Sequence, residues 1–181
     1  MTKAPQALVL ASLLTTMLGV LEVIAPSSGV YSEGFLRLDA TSRLFALVIN
    51  PIFLGISFYI WNRVATTPVL AEGMRRFGWL ALTFLAAANV VLIANHLLLL
   101  WIALELTTLA AAPLIVRAGV PASRQASWRY LLFSSVGLGL VLVGFMCLAR
   151  SLSADGHPAS YFIDKLPELV REPATPPATA C

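Results

Sequence analysis

The chain has 181 residues, of which 59% are hydrophobic and only 12% are charged. Soluble domains carry roughly 45–50% apolar and about 25% charged residues, and small domains bury a smaller share of their surface. This much apolar surface is expected to face lipid. The composition argues against a disordered chain, a disulfide-stapled secreted domain, a nucleic-acid-binding protein and a two-domain soluble enzyme. The net charge of +3 is first of all a membrane-topology signal.

Five apolar segments have the 17–25 residues that a helix needs to cross about 30 Å of hydrocarbon. They are residues 7–25, 44–62, 77–94, 97–116 and 130–149. A backbone in lipid must satisfy its own hydrogen bonds, so each segment is predicted to be an α-helix; continuous apolar runs argue against a β-barrel. The predicted fold is all-α, a polytopic transmembrane bundle of about five helices within residues 1–150.

Two sites with polar residues bear on how these segments are arranged. No charged residue lies between Phe77 and Leu104, and Asn95 with His96 is the only pair of adjacent polar residues in that stretch. One helix over residues 77–116 would measure about 60 Å, twice the membrane, so a tight turn is expected at this pair. Asn50 and Pro51, in the middle of the second segment, mark either a kink with a polar contact or only a bend.

The distribution of Lys and Arg predicts that the N-terminus is inside and the C-terminus outside. In this orientation the inner segments hold seven Lys and Arg and the outer segments five. The polar tail, residues 151–181, then lies outside, with a short amphipathic helix over 160–170 and a disordered end rich in Pro, Ala and Thr. A signal peptide with Lys3 as its basic region is an alternative for the first segment, but the segment is long for one.

Glu105 is the ninth residue of the 97–116 segment, about 13 Å along the span and close to the bilayer centre. An acidic residue there costs about 2.5–3.5 kcal/mol and persists where it faces a protein interior. A functional site is therefore the default hypothesis. The structural alternative is a protonated glutamate that hydrogen-bonds neighbouring helices. Thr108, three residues on, shares the face of Glu105 and is expected to line the same path.

Four other residues receive roles. His96 is either a turn residue or a proton relay. Ser135 and Gly139 form a small-xxx-small pattern, which predicts close helix packing. Arg129 precedes the last apolar segment and is placed at the inner surface, where positive charge is expected. Catalytic residues, metal ligands and cofactors are not predicted, because the sequence has no Cys/His cluster, no glycine-rich phosphate loop and no GxSxG nucleophile.

Three stretches resemble the antiporter-like membrane subunits of proton-pumping complexes: LRLDATSRLFALVIN, ANHLLLLWIALELTTLAAAPLIV and QASWRYLLFSSVGLGLVLVGF. This family includes the proton-channel subunits of respiratory complex I, an NADH dehydrogenase, together with cation/proton antiporter subunits and membrane-bound hydrogenase subunits. WIALELTTLAAAPLIV followed by ASWRY most resembles hydrogenase-4 component F. The resemblance covers roughly residues 35–170.

The resemblance implies a multi-pass protein of the cell (inner) membrane that helps to move protons or cations within a larger redox-driven or antiporter complex. In the family, a glutamate on this helix faces a lysine on a later, broken helix. Glu105 matches that glutamate, and Arg129 stands where the family commonly has lysine. The chain stops before the lysine helix and its HTWLPDA-like segment, so a partner subunit that supplies this helix is expected.

Two alternatives to transport stay open. One is a non-conducting scaffold or anchor subunit of such a complex, and the other is the membrane partner of an inorganic-carbon uptake complex. The lipid bilayer and other membrane subunits are the expected partners in each case. Any oxidoreductase activity is expected of the complex, because this chain has no Cys or His cluster for an Fe–S centre and no pair of mid-membrane histidines for a haem.

Overall fold

A computed structural model describes residues 3–24, 30–31, 34–66, 71–117, 119–154 and 161–163. These residues form five α-helices and one short β-ribbon. The helices are α1 (Lys3–Ile24), α2 (Ala40–Thr66), α3 (Ala71–Ile93), α4 (Leu97–Ile115) and α5 (Pro121–Ala154). The ribbon joins α1 to α2 and consists of the antiparallel strands β1 (Val30–Tyr31) and β2 (Leu36–Arg37).

Within the described residues, four helices contain segments long and apolar enough to cross a membrane. These segments are Ala40–Arg63, Arg76–Ile93, Leu97–Ile115 and Pro121–Ser151. The apolar part of α1, Gln6–Leu21, is shorter than a typical span of roughly 20 residues. Large apolar side chains cover the outside of the bundle, with Phe133 79% exposed and Leu140 70% exposed. The predicted all-α polytopic bundle is confirmed, and the chain is a multi-pass membrane protein.

Three of the helices extend well beyond the apolar segments predicted for them. The segments 7–25, 44–62, 77–94, 97–116 and 130–149 correspond in turn to α1 through α5. Helix ends follow capping and backbone hydrogen bonds, whereas the apolar segments report only the depth of the hydrocarbon. For α2, the Asp39 carboxylate accepts the Ser42 N–H at 2.7 Å, which is the geometry of an N-cap.

Helix α5 shows the largest extension, because it begins nine residues before the predicted segment. Pro121 occupies its first position, where the missing N–H leaves no intrahelical bond unmade. Gly119, with φ +78°, makes the turn that precedes it. With 34 residues, α5 is about 51 Å long, so it continues beyond about 30 Å of hydrocarbon.

The helices pack unevenly. Helices α1, α2 and α3 contact one another, α4 packs on α3, and α5 packs on α4. The buried cluster among the first three helices consists of Leu8, Ile60 and Ala81. Helix α5 therefore lies at one edge of the described bundle, with α4 between it and the first three helices.

Three chain segments meet at the end of the bundle where α3 turns into α4. The turn occupies residues 94–96, as predicted from its polar pair. Asn95, 4% exposed, lies at its centre. Its N–H donates to the Phe35 carbonyl at 2.8 Å, and its carbonyl accepts the Ile163 N–H at 2.8 Å. Because 34–37 follows α1 and 161–163 follows α5, the chain alternates between the two ends of the bundle from helix to helix.

The tail after α5 differs from its prediction where it is described. Residues 161–163 lie in the segment expected as an amphipathic helix over 160–170, but His96 and Phe162 form an antiparallel β-bridge. The Leu97 N–H donates to the Tyr161 carbonyl at 2.8 Å, so the turn supplies a partner for the extended backbone. The remaining tail residues, including the end predicted to be disordered, lie outside the described residues.

Candidate functional site

The Glu105 side chain lies between α4 and α5 and is half-buried. Glu105 is the ninth residue of the 19-residue α4, so its carboxyl is near the middle of the helix. Its Oε1 accepts a hydrogen bond from the Ser135 hydroxyl of α5 at 2.9 Å. The carboxyl near the middle of α4 thus contacts a neighbouring helix, as a polar group in lipid requires.

The second oxygen of the Glu105 carboxyl has a different environment. Oε2 is shielded from solvent and has no hydrogen-bond partner among the described residues. An unpaired buried polar atom costs about 1–3 kcal/mol, and more if the group is charged. A proton would remove the cost of a buried charge, and a cationic donor would supply the partner that Oε2 lacks.

Two further hydrogen bonds fix α5 against α4 on either side of Glu105. The Trp101 indole Nε1–H donates to the Leu138 carbonyl at 2.7 Å. The Ser127 hydroxyl donates to the Ala112 carbonyl at 2.5 Å and is almost fully buried. The three bonds run in antiparallel order along the two helices, so the register that places Ser135 beside Glu105 is determined at three levels.

Sequence reasoning missed the roles of Ser127 and Leu138. Ser127 lies eight residues before Ser135, a spacing of about two turns, so the two hydroxyls share one face of α5. This eight-residue spacing could have predicted that Ser127 faces α4 together with Ser135. The Leu138 carbonyl gave no signal, because a backbone acceptor inside a helix is visible only once the facing helix is placed.

Thr108 and His96 are not hydrogen-bonded to the carboxyl. The Thr108 hydroxyl donates to the Glu105 backbone carbonyl at 2.8 Å, one turn back on the same helix. His96 is the N-cap of α4, where its Nδ1 accepts the Leu98 N–H at 3.3 Å. It lies about 13 Å from Glu105 along the helix axis, among the rings of Phe35, Tyr161 and Phe162.

Arg129 and Gly139 lie on α5 on either side of Ser135. Arg129 is exposed, about 9 Å from Ser135 along the axis. A Cβ built on Gly139 would meet nothing within 4 Å, so this glycine does not permit a close helix approach within the chain. Of the predicted site residues, the structure brings together Glu105 and Ser135, with Thr108 one turn away.

A second polar pair joins α2 to α3, and it resolves the question left open at Asn50. The Asn50 Nδ2 donates to Asn89 Oδ1 at 3.1 Å, and the Asn89 Nδ2 donates to Asn50 Oδ1 at 3.0 Å. Asn89 also donates to the Leu85 carbonyl at 2.9 Å. Asn50 is 1% exposed. The residue before Pro51 thus makes a polar contact, and the partner Asn89 was overlooked in the sequence.

The described part of the chain contains no group of three or more His, Cys, Asp or Glu side chains that could hold a metal ion. A carboxyl such as that of Glu105 can gain or lose a proton or contact a cation.

Parts of the chain are similar to two other proteins. Hydrogenase-4 component F homolog of Methylacidiphilum infernorum (isolate V4) is 25% identical over 131 residues, which are 67% of this chain and 27% of that protein. NADH-ubiquinone oxidoreductase chain 2 of Suricata suricatta is 30% identical over 63 residues, which are 35% of this chain and 18% of that protein. The chain thus spans about a quarter or less of each relative. Neither a family model nor a solved structure matches it.

Proposed function

We propose that the chain is a membrane subunit of a multi-subunit complex of the complex I or hydrogenase kind, and that Glu105 takes part in moving protons or cations there. The names of the two relatives support membership in such a complex. Both relatives are much longer than the matched region, so the partners and the activity of the whole assembly belong to the proposal. The expected location is the cell (inner) membrane.

One observation carries the role of Glu105: a midplane carboxyl with one oxygen bonded to Ser135 and the other shielded and unpaired within the described residues. A cationic donor that reaches Oε2 would supply its missing hydrogen-bond partner, and a proton would neutralise the carboxylate. The lysine helix that the sequence resemblance leads us to expect from a partner subunit is the proposed source of that cation.

A scaffold role is the second candidate, and the same hydrogen bond favours it. If Glu105 is permanently protonated, the bond from Ser135 to Oε1 simply joins α4 to α5. The two candidates differ in whether ionisation of the carboxyl matters. They do not differ in the position of the helices.

The test is to replace Glu105 by Gln and by Asp in the intact complex and to measure proton movement in closed membrane vesicles with a pH-sensitive dye. Glu105→Gln keeps the shape and the acceptor for Ser135 but cannot ionise, so we expect normal assembly with proton movement reduced at least ten-fold. Glu105→Asp keeps the carboxyl but withdraws it by one methylene, so partial activity is expected.

The matched control is Asp39→Asn, the same carboxyl-to-amide change at a residue that precedes α2. It should leave proton movement unchanged. Recovery of each variant in the same detergent-solubilised assembly shows that the complex is intact. If Glu105→Gln assembles and moves protons at the wild-type rate, the scaffold candidate replaces the transport candidate.

A further inference from the structure

Arginines are concentrated at the end of the bundle where α2 and α4 end and α3 and α5 begin. The stretch from residue 63 to residue 129 contains six of them: Arg63, Arg75, Arg76, Arg117, Arg124 and Arg129. The same stretch has two acidic residues, Glu72 and Glu105, and Glu105 lies near the middle of α4. This end of the bundle therefore carries a positive charge that the sequence between these helices does not balance.

Three tryptophans indicate the level of the membrane surface at this end. Trp61 of α2, Trp79 of α3 and Trp128 of α5 are 44%, 50% and 59% exposed. Each lies two to four residues closer to the middle of the membrane than an arginine of the same helix; these arginines are Arg63, Arg76 and Arg124. Tryptophan is enriched at membrane–water interfaces, where its ring lies at the level of the headgroups. The arginines are therefore at the level of the lipid phosphates.

The turn between α4 and α5 brings the backbones of two of these arginines together. The Ser123 hydroxyl accepts the Arg117 N–H at 2.9 Å and donates to the Val120 carbonyl at 2.7 Å. The Ser123 N–H also donates to the Val120 carbonyl, at 3.1 Å. Arg117 is thus bonded to the residue that immediately precedes Arg124, and both arginines extend from a turn whose backbone is fixed.

The guanidiniums of Arg117 and Arg124 are open to a ligand. Both side chains are exposed, and within the described residues neither makes a hydrogen bond, an ion pair or a ring contact. Trp128 is one turn from Arg124 on the same face of α5, about 6 Å toward the middle of the membrane. Arg129, five residues from Arg124, is about 140° away around the helix. The turn therefore presents two unpaired guanidiniums with an exposed aromatic ring on their membrane side.

We propose that the α4–α5 turn binds an anionic phospholipid, with its phosphate at Arg117 and Arg124 and the upper part of an acyl chain against Trp128. A guanidinium has planar donors that fit phosphate oxygens in pairs, and it is less strongly hydrated than an ammonium. Two guanidiniums favour a lipid with a net negative charge, because the phosphate of phosphatidylcholine is balanced by its own quaternary ammonium.

The position of α5 favours a lipid over an acidic protein segment. Helix α5 lies at one edge of the described bundle, and Phe133, one turn and a half beyond Trp128, is 79% exposed. Lipid reaches the turn directly along this apolar surface, and a phospholipid supplies hydrocarbon and phosphate in the order in which the helix presents Trp128 and Arg124. This inference does not depend on the role of Glu105.

The experiment is native mass spectrometry of the full-length chain, with any subunits that co-purify, after extraction in mild detergent and incubation with mixed micelles of phosphatidylglycerol and phosphatidylcholine. Wild type should retain phosphatidylglycerol in preference to phosphatidylcholine. An arginine beside an anionic lipid contributes roughly five-fold to binding, so Arg124→Gln should weaken phosphatidylglycerol binding by about that factor. The double variant Arg117→Gln/Arg124→Gln should weaken it by at least about ten-fold.

The matched control is Arg150→Gln, at the other end of the same helix. Arg150 is also exposed and has no interaction within the described residues, so the substitution removes the same charge from the same helix. It should leave phosphatidylglycerol binding unchanged. Equal affinities of the Arg124 and Arg150 variants, or no preference of wild type for phosphatidylglycerol, would overturn the proposal.

A second pair of variants tests the hydrocarbon part of the contact. Trp128→Ala removes an apolar ring without changing the charge and should weaken phosphatidylglycerol binding, whereas Trp61→Ala, at the same level on α2, should not. Equal affinities of the two tryptophan variants would contradict a contact between the lipid and Trp128.

Two further outcomes would identify a different occupant of the turn. Inorganic phosphate in large excess should not displace the retained phosphatidylglycerol, and displacement would mean that the arginines bind a free anion. Retention of phosphatidylglycerol only after the co-purifying subunits are removed would mean that an acidic partner surface covers the turn. Either result would overturn the proposal.

Discussion

Two polar pairs at membrane depth can be compared directly, because each joins neighbouring helices. Asn50 and Asn89 join α2 to α3 through two reciprocal hydrogen bonds between neutral amides. Glu105 and Ser135 join α4 to α5 through a single bond, and the group that accepts it is ionisable. Oε2 of the glutamate remains unpaired among the described residues.

The difference lies in what each pair can still do. Burying a polar group in hydrocarbon is costly, and the amide pair removes most of that cost within the chain. It has no charge to gain and few bonds to add, so its role is structural. The carboxyl removes only part of the cost and keeps the ability to bind a proton or a cation. Under the proposed function, transport acts on this incompletely bonded, ionisable group.

The largest effect on stability is expected from breaking the amide pair. Asn50→Leu leaves the Asn89 side chain without one of its partners, and this should lower the free energy of unfolding by about 1–2 kcal/mol. The measurement is thermal unfolding in detergent micelles. The control is a double-mutant cycle with Asn89→Leu, because removing both amides leaves neither unpaired.

The outcome of this cycle decides whether the pair acts as a unit. We expect the double variant to be clearly less destabilised than the sum of the two single variants. Additive losses would mean that the two asparagines stabilise the bundle independently. The amide pair could then no longer be compared with the Glu105 pair as a bonded structural unit.

The second prediction addresses the other pair. Ser135→Ala removes the donor to Oε1 and leaves both carboxyl oxygens without a described partner. A net loss of about 1 kcal/mol at this step corresponds to a roughly five-fold change in proton movement by the intact complex. The adjacent Ser134→Ala makes the same substitution at a residue that does not donate to the Glu105 carboxyl. Similar rates for the two serine variants would exclude Ser135 from the site.

The sequence predicted the helices and the acidic residue, because both depend on local composition. Apolar segments and one midplane glutamate are visible without knowledge of the partner helix. It did not predict that Asn50 pairs with Asn89, or that Trp101 donates to a backbone carbonyl of α5. Those contacts depend on how two helices are rotated against each other, and polar residues in separate spans do not specify that rotation.

The tail and the ends of the helices illustrate the same limit. The segment after α5 has an amphipathic pattern, yet its described residues 161–163 pair with the turn at Asn95. The tail backbone there forms hydrogen bonds with the turn. The sequence of the tail alone could not predict this contact, because it depends on where the turn lies. The LDATS stretch contributed to the family resemblance, but no structural role was predicted for it. In the structure, Asp39 of this stretch caps α2 by accepting hydrogen bonds from Ser42.

The smallest effect concerns Asp39, a carboxyl whose bonding contrasts with that of Glu105. Hydrogen bonds from the backbone N–H and the hydroxyl of Ser42 hold the pKa of Asp39 below its usual range; the charge of Arg37 acts in the same direction, and partial burial opposes it. A carboxyl with a lowered folded-state pKa stabilises the fold above its unfolded pKa of about 4. That contribution is lost as the pH falls through the folded-state pKa.

Asp39→Asn keeps a capping side chain without the charge, so it should lower the melting temperature slightly at pH 7. The difference from wild type should shrink as the pH falls below about 4, where wild type loses the same charge. The measurement is thermal unfolding of both proteins in detergent between pH 3 and pH 7. A constant difference over this range would mean that the Asp39 charge does not stabilise α2. In that case the two hydrogen bonds that Ser42 donates to Asp39 Oδ1 would hold the helix end without any contribution from the charge.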